Sequence, residues 1–286
     1  MSDERLGEAA GLFGPGSVAW RIDREALLLA GGSCALLMQV AHPAVAAGVS
    51  EHSTYRTDPV GRLQRTLTSS FSVIFGTRSQ AQRTLARINA IHAAVQGRIP
   101  DNGEPYSALD PHALLWVHAT LVDTALRIYD RFVGALSDEE AEAYHRESAV
   151  VAQALAIPSA LLPSTLLELR AWMAEMIGSR QVRVTPQARD IAARVLYPTR
   201  LPPRLAWDAA HLISFSTLPD PLRRQYGIAW SPARERGLDR LAGLTRRALP
   251  LLPAPLRYVP QARSAARRAA ISRARPAGHA VKPRYG

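Results

Sequence analysis

His92 is the clearest of the histidines in this sequence that fall on an otherwise apolar helical face. Its i−4, i−7 and i+3 neighbours are Ile88, Leu85 and Val95, so on a helix the imidazole shares an apolar stripe. A neutral imidazole there must satisfy two ring nitrogens. One can take a metal while the other is held by an acceptor, or both can be hydrogen-bonded within a core. Spacing alone leaves both readings open. They apply equally to His118, set between Leu114/Leu115 and Leu121/Val122, and to His42, which directly precedes Pro43.

Arg62 and Thr66 stand at i and i+4, so on a helix they project from one face, which is either a solvated face or one within reach of a common ligand. A guanidinium pairs bidentately with a carboxylate, and a hydroxyl can hydrogen-bond beside it. A different metal chemistry is open to Glu142-x-x-His145 and Asp208-x-x-His211, which place acid and histidine one turn apart, as in carboxylate-bridged di-iron helices. That reading needs further inward acids. The first pair also follows a capping box in the charged run SDEEAEAYHRE, which reads as a solvated face.

Absent motifs narrow the choice. The sequence has no phosphate-cradling glycine loop, nucleophile elbow, Cys-x-x-Cys or His-Glu-x-x-His. Hydrolytic and nucleotide chemistry lose their support.

The elements that must position these residues are helices. Asp58-Pro59 opens a segment running to Gly76, and Thr77 opens the next, which carries His92 and ends at Gly97. Asp110-Pro111 starts a third, through His118 to Gly134. Ser137 with Glu140 caps a fourth to Ala156, and Thr185-Pro186 caps another ending near Tyr197. After Pro198, Pro202 and Pro203 a helix carries Trp207, His211 and Phe215. Pro219-Asp220-Pro221 and Ser231-Pro232 introduce two more. Alternating β-branched runs bounded by hairpin turns do not appear, so the class is all-α.

Of the 286 residues, 47% are apolar and they run through nearly the whole chain, which fits one domain better than two. The stretch Ala26–Val49 carries no formal charge. Gly31, Gly32, Ser33, Gln39, His42 and Pro43 interrupt it, so a buried core helix is expected rather than a membrane span. Cys34, the one cysteine, excludes an internal disulfide and reads as an inert buried thiol. The acidic N-terminus does not read as a secretory signal, so a cytoplasmic location is expected.

The net charge is +11, of which eight units lie from Arg257 onward with no acid among them, leaving +3 for the preceding body. No recognition motif accompanies the charge, so specific nucleic-acid binding is not expected. A solvated tail over 257–286 is the plain reading. A peripheral contact with anionic lipid on the inner face of the membrane is the functional one.

In order and with their gaps, the blocks AGGSCALLMQVAHPAVAAGVSEHS, DPVGRLQRTLTSSFSVIFG, INAIHAAVQG and YSALDPHALLWVHATLVDTAL resemble the MpaB-type oxygenases and the catalytic domain of latex-clearing rubber oxygenases. The resemblance covers roughly residues 24–155 well and the rest loosely. The caps and the charge boundary give a single helical domain over 1–256, of about ten helices; the resemblance implies that they surround a heme b pocket and that the chain is an oxygenase acting with O₂ or peroxide. His92, with Val95, matches the family's proximal iron ligand, while Arg62 and Thr66 match heme-pocket residues and are the implied catalytic pair. His118 and His42 fall in matching blocks and are further candidates for the pocket. Arg65 departs from the pattern. Rubber oxygenases can carry a lysine there that approaches the iron, whereas arginine stays protonated and cannot coordinate it, so Arg65 is expected at most to touch the cofactor. The missing export signal and shorter flanks make polyisoprene an unexpected substrate, and a small or medium lipophilic molecule fits better. A non-enzymatic helical scaffold docking through the basic tail is the remaining alternative.

Overall fold

A computed structural model describes residues 7–197 and 204–274, with the side chains of 204–206 and 208–210 outside that description. Besides a helical turn over 7–10, fourteen α-helices are described, eleven of them nine residues or longer, so the architecture is all-α. In chain order they are α1 (Val18–Asp23), α2 (Gly32–Val40), α3 (Pro43–His52), α4 (Pro59–Phe75), α5 (Arg78–Ala93), α6 (Pro111–Ile128), α7 (Asp138–Ala154), α8 (Leu166–Gly178), α9 (Pro186–Leu196), α10 (Arg204–Thr217), α11 (Asp220–Gln225), α12 (Pro232–Ala248), α13 (Ala254–Arg257) and α14 (Pro260–Ala274).

The starts of the long helices coincide with the caps expected from sequence. Asp58, Thr77, Asp110, Ser137, Thr185 and Ser231 each accept a backbone N–H of the first turn through their side chain. One local departure is a short antiparallel pair, β1 (Gln96–Arg98) and β2 (Pro105–Ser107), between α5 and α6. Its turn carries Gly103 at positive φ. Three residues per strand are too few to show a period-two pattern in sequence.

The uncharged stretch supplies the centre. It forms a 3₁₀ segment (Ala26–Gly31), then α2 and α3, bent by 105° at the break before Pro43. Cys34, Leu37, Met38, Val40 and Ala41 are wholly buried there. Among the described residues no single helix is long and apolar enough to cross a membrane. Helix α6 packs against α2, and Trp116 Nε1 donates to the Met38 carbonyl at 2.9 Å. Gly31 permits the close approach: a Cβ there would lie 2.8 Å from Ile128 Cγ1 and 2.9 Å from Thr124 Cγ2 on α6.

The basic C-terminal segment is not simply a solvated tail. Arg257 makes a bidentate pair with the fully buried Glu25, and Val259 N donates to the Arg24 carbonyl at 2.9 Å. Beyond it, Ala262 and Ala265 of α14 are buried with Trp20 and Phe75. The chain thus returns to α1 and α4 through residue 274, since the alanine face of α14 covers apolar surface that would otherwise meet water. Residues 275–286 lie outside the described part.

Helix α1 is held from α7 by acids. Glu147 accepts from Val18 N and Ala19 N at 3.2 and 2.6 Å, a carboxylate at a helix N-terminus. Tyr144 Oη donates to Asp23 at 3.0 Å. Desolvation first, then the nearby Glu147 charge, pushes the Asp23 carboxyl up from 3.8 to about 7, against the Tyr144 hydrogen bond. The folded state therefore keeps a proton that the unfolded chain releases, so this stabilisation is full below pH 3.8 and is lost as pH rises through about 7. Asp23→Asn, which removes the titration and keeps an acceptor for Tyr144, is expected to flatten that decline. Because Asp23 retains some exposed surface, the gain in mildly alkaline buffer is about 1–2 kcal/mol. Urea unfolding across pH checks it, and a variant whose profile tracks the wild type refutes it.

Candidate functional site

Helices α4 and α5 form a hairpin. Asp58 caps α4 by accepting from Gly61 N at 2.9 Å, with Pro59 in the first turn. At the other end, Thr77 and Gln80 build a reciprocal capping box that starts α5 directly after Gly76. A turn this short makes the two helices antiparallel neighbours, so residues equidistant from it sit at the same height. Arg62 and His92 lie about 22 and 23 Å from the turn at 1.5 Å per residue, and Thr66 about 16 Å. Both principal candidates are thus at the open end of the hairpin.

That end is fixed on three sides. Ser53, at the C-terminus of α3, accepts from Arg62 Nε at 2.7 Å. Val95, one turn beyond His92, packs with Ala44, Ala47, Ile99 and Tyr106, and Gly48 allows the contact, since a Cβ there would sit 3.3 Å from Val95 Cγ1. Asn89 Nδ2 donates to the Ala154 carbonyl at the end of α7 at 2.9 Å.

His92 is half-buried. Its Nδ1 is buried without a hydrogen-bond partner, and Nε2 is bonded to nothing among the described residues. Burial lowers its pKa below the ordinary 6.5, so at neutral pH the ring is uncharged with a lone pair to give. Leu85 beneath it is buried and Ile88 is half-buried, as the apolar stripe requires.

Arg62 is half-buried too, and its only hydrogen bond is through Nε to Ser53. No carboxylate among the described residues pairs with its terminal nitrogens. Desolvation and the neighbouring Arg65 charge both lower its pKa, the mark of a cation lacking a counter-ion. Thr66 is exposed one turn along, its hydroxyl donating back to the Arg62 carbonyl at 3.0 Å. Arg65 is directed elsewhere: it is exposed, pairs with Asp58 at 2.9 Å and donates to Thr54 Oγ1 at 2.8 Å. The expected cofactor contact at Arg65 gains no support from those bonds.

His118 is buried on α6. Its Nε2 lies 3.5 Å from Ser148 Oγ, whose hydrogen goes to the His145 carbonyl at 2.7 Å. The Nε2 of His118 is therefore the donor of that weak contact. Burial, and then the adjacent His145, push His118 down to about 4, so it is neutral. It faces α7 rather than the α4–α5 hairpin in the contacts it makes. His42 sits at the N-cap of α3, half-buried, with Nδ1 buried and unpartnered. Burial lowers its pKa; Asp110 opposes that shift and Arg183 adds to it.

The first acid–histidine pair is committed to structure. Glu142 accepts from Leu166 N at 2.8 Å, and His145 Nε2 bonds the Pro163 carbonyl at 2.9 Å. His145 is buried, contrary to the solvated face expected for that run, because the loop before α8 folds over it. The side chain of Asp208 lies outside the described residues. Among those described, no group of three or more His, Cys, Asp or Glu is placed to share an ion.

Ser53 and Asn89 were not singled out by sequence reasoning. Both stand beside chosen residues, Ser53 ending the EHS block and Asn89 one turn before His92. A separate concavity of about 480 Å³ between Asp220, Arg223 and Trp230 is structural in character. There Arg223 stacks on Trp230, pairs with Asp220 and donates to the Phe215 carbonyl, which leaves little of its charge for a ligand.

The fold and these unused donors define an all-α protein with a candidate ligand site at the open end of a helical hairpin. Its family follows from comparison: the model for the ER-bound oxygenase mpaB/B′/rubber oxygenase catalytic domain matches residues 20–247, and the chain belongs to that family, which makes it an enzyme of oxygenase type. Two relatives are the uncharacterized proteins Rv2237 of Mycobacterium tuberculosis and Mb2261 of Mycobacterium bovis. Each is 24% identical over 226 residues, covering 76% of this chain and 87% of the relative. No solved structure matches the chain.

Proposed function

We propose that the chain is a heme-b-dependent oxygenase that acts on a small or medium lipophilic substrate with O₂ or peroxide. The observation that carries this reading is the pairing, at one height of the hairpin, of a neutral imidazole with an unused lone pair and a half-buried arginine with no acid. Heme has the complementary parts, an iron that takes nitrogen and propionates that take guanidinium. The residues present fit it. Val60, Leu63 and Ile91, each about half exposed near the same end of α4 and α5, offer apolar side chains for a flat ring to cover.

Bound heme would supply oxidative chemistry at its iron. The protein's own contributions are positional. His92 supplies a neutral nitrogen, kept uncharged by burial. Arg62 orients a carboxylate and is itself aimed by Ser53. Thr66 has its hydrogen committed to the Arg62 carbonyl and can accept with its remaining lone pairs. Membership in an oxygenase family disfavours a purely structural helical scaffold.

Titrating the apoprotein with hemin and following the Soret band tests the cofactor. Arg62→Ala is expected to weaken uptake by about 10- to 100-fold, the worth of a charge-assisted hydrogen bond, and Arg62→Lys to recover part of it. A wild type that takes up no hemin at equimolar concentration would overturn the proposal.

A further inference from the structure

The charge of this chain is more sharply divided than the tail alone indicates. Residues 1–239 contain 24 cationic and 24 acidic side chains, whereas residues 240–286 contain 11 cationic and none acidic. Within the described part of that cationic segment lies an apolar projection. Leu251, Leu252, Pro253, Ala254, Pro255 and Leu256 are six consecutive exposed apolar residues, with Leu251 at 83% and Leu256 at 68% exposure. Pro250, Pro253 and Pro255 keep the segment from continuing α12, so it runs as a 3₁₀ turn and the four-residue α13. Leu244, on the last turns of α12, is 63% exposed as well.

The ends of this projection are anchored, Leu249 in the core and Arg257 on Glu25. Its leucines are thus held outward by a fixed frame. On the helices that precede and follow it, Arg240 and Arg247 of α12 and Arg267 and Arg273 of α14 are exposed and have no carboxylate partner among the described residues. The last acids before it, Glu235 and Asp239, are taken by Arg131.

We propose that the 251–256 projection is a membrane-docking element, its leucines entering the outer edge of an anionic bilayer while the arginines of α12 and α14 engage lipid phosphates. Charge complementarity selects this occupant. Uncompensated cations in the segments flanking the apolar loop, eleven over residues 240–286 with no acid, would repel their counterparts on a second copy of the chain, but meet their complement in an anionic lipid surface. The proposal is independent of heme.

Its test is cosedimentation of the full chain with phosphatidylcholine vesicles, with and without phosphatidylserine. The wild type is expected to bind the anionic vesicles. Leu251→Ser with Leu256→Ser should lose about 100-fold in affinity, roughly tenfold for each leucine withdrawn from lipid, with an unchanged unfolding midpoint because both side chains are already solvated. Arg247→Glu with Arg267→Glu should lose about tenfold or more on anionic vesicles. Unaltered binding by the leucine variant would show that charge alone makes the contact and would overturn the proposal. So would a wild type that ignores anionic vesicles, or one that dimerises through these leucines instead of binding them.

Discussion

His92→Ala is expected to abolish the Soret band of the hemin-treated protein. The affinity should fall by more than about 100-fold, since removing a partner behind a ligand already costs 10–100-fold and here the ligand itself goes. The apoprotein should unfold at nearly the same temperature, because the imidazole is half-buried and makes no hydrogen bond among the described residues. Hemin titration and thermal unfolding together separate loss of the ligand from loss of the fold, with the exposed His112→Ala as a control. Uptake by wild type should be level from neutral pH upward and weaken in acid, where protons compete for the same nitrogen, since the ring titrates below its ordinary 6.5. If His92→Ala retained the band, the ligand would lie elsewhere. His42, with its own unpartnered Nδ1, would be next to test.

Arg257→Ala is expected to produce the largest loss of stability. Glu25 has no exposed side-chain surface, and Arg257 donates to it from Nε and Nη2 at 2.8–3.1 Å with only 18% of its own side chain exposed. Removing the guanidinium leaves a buried carboxylate uncompensated, which costs about 3–5 kcal/mol. Against the usual 5–15 kcal/mol of a folded domain, that should lower the unfolding midpoint by on the order of 10 °C. Replacing both partners by apolar residues, Glu25→Met with Arg257→Met, should recover most of the loss, because the penalty comes from the orphaned charge. A single variant within about 1 kcal/mol of wild type in urea would refute this account.

Much of the architecture was legible because helix boundaries are local events. Asp58, Thr77, Asp110, Ser137 and Thr185 each announce a helix through chemistry that needs only the next three residues. The β1–β2 pair was not legible, since its strands are short and held by pairing with each other. The fate of the basic segment was also hidden. Eight cations without an acid read as solvated, and only Glu25, 232 residues earlier in the chain, turns Arg257 inward.

His92 shows the same division. Periodicity put it on an apolar stripe with its ligand role undecided, and the ordered blocks around it pointed to iron. Caps, helical periodicity and ordered motifs are properties of the linear chain, and they were enough for the all-α class, for the two successive helices that carry Arg62 and His92, and for the family. Tertiary structure alone decided which nitrogens and charges remain unpaired. His118 and Arg65 find Ser148 and Asp58, while His92 and the terminal nitrogens of Arg62 find no partner among the described residues. The physical reason is that a hydrogen bond needs its partner within about 3 Å, and only packing brings together residues far apart in sequence.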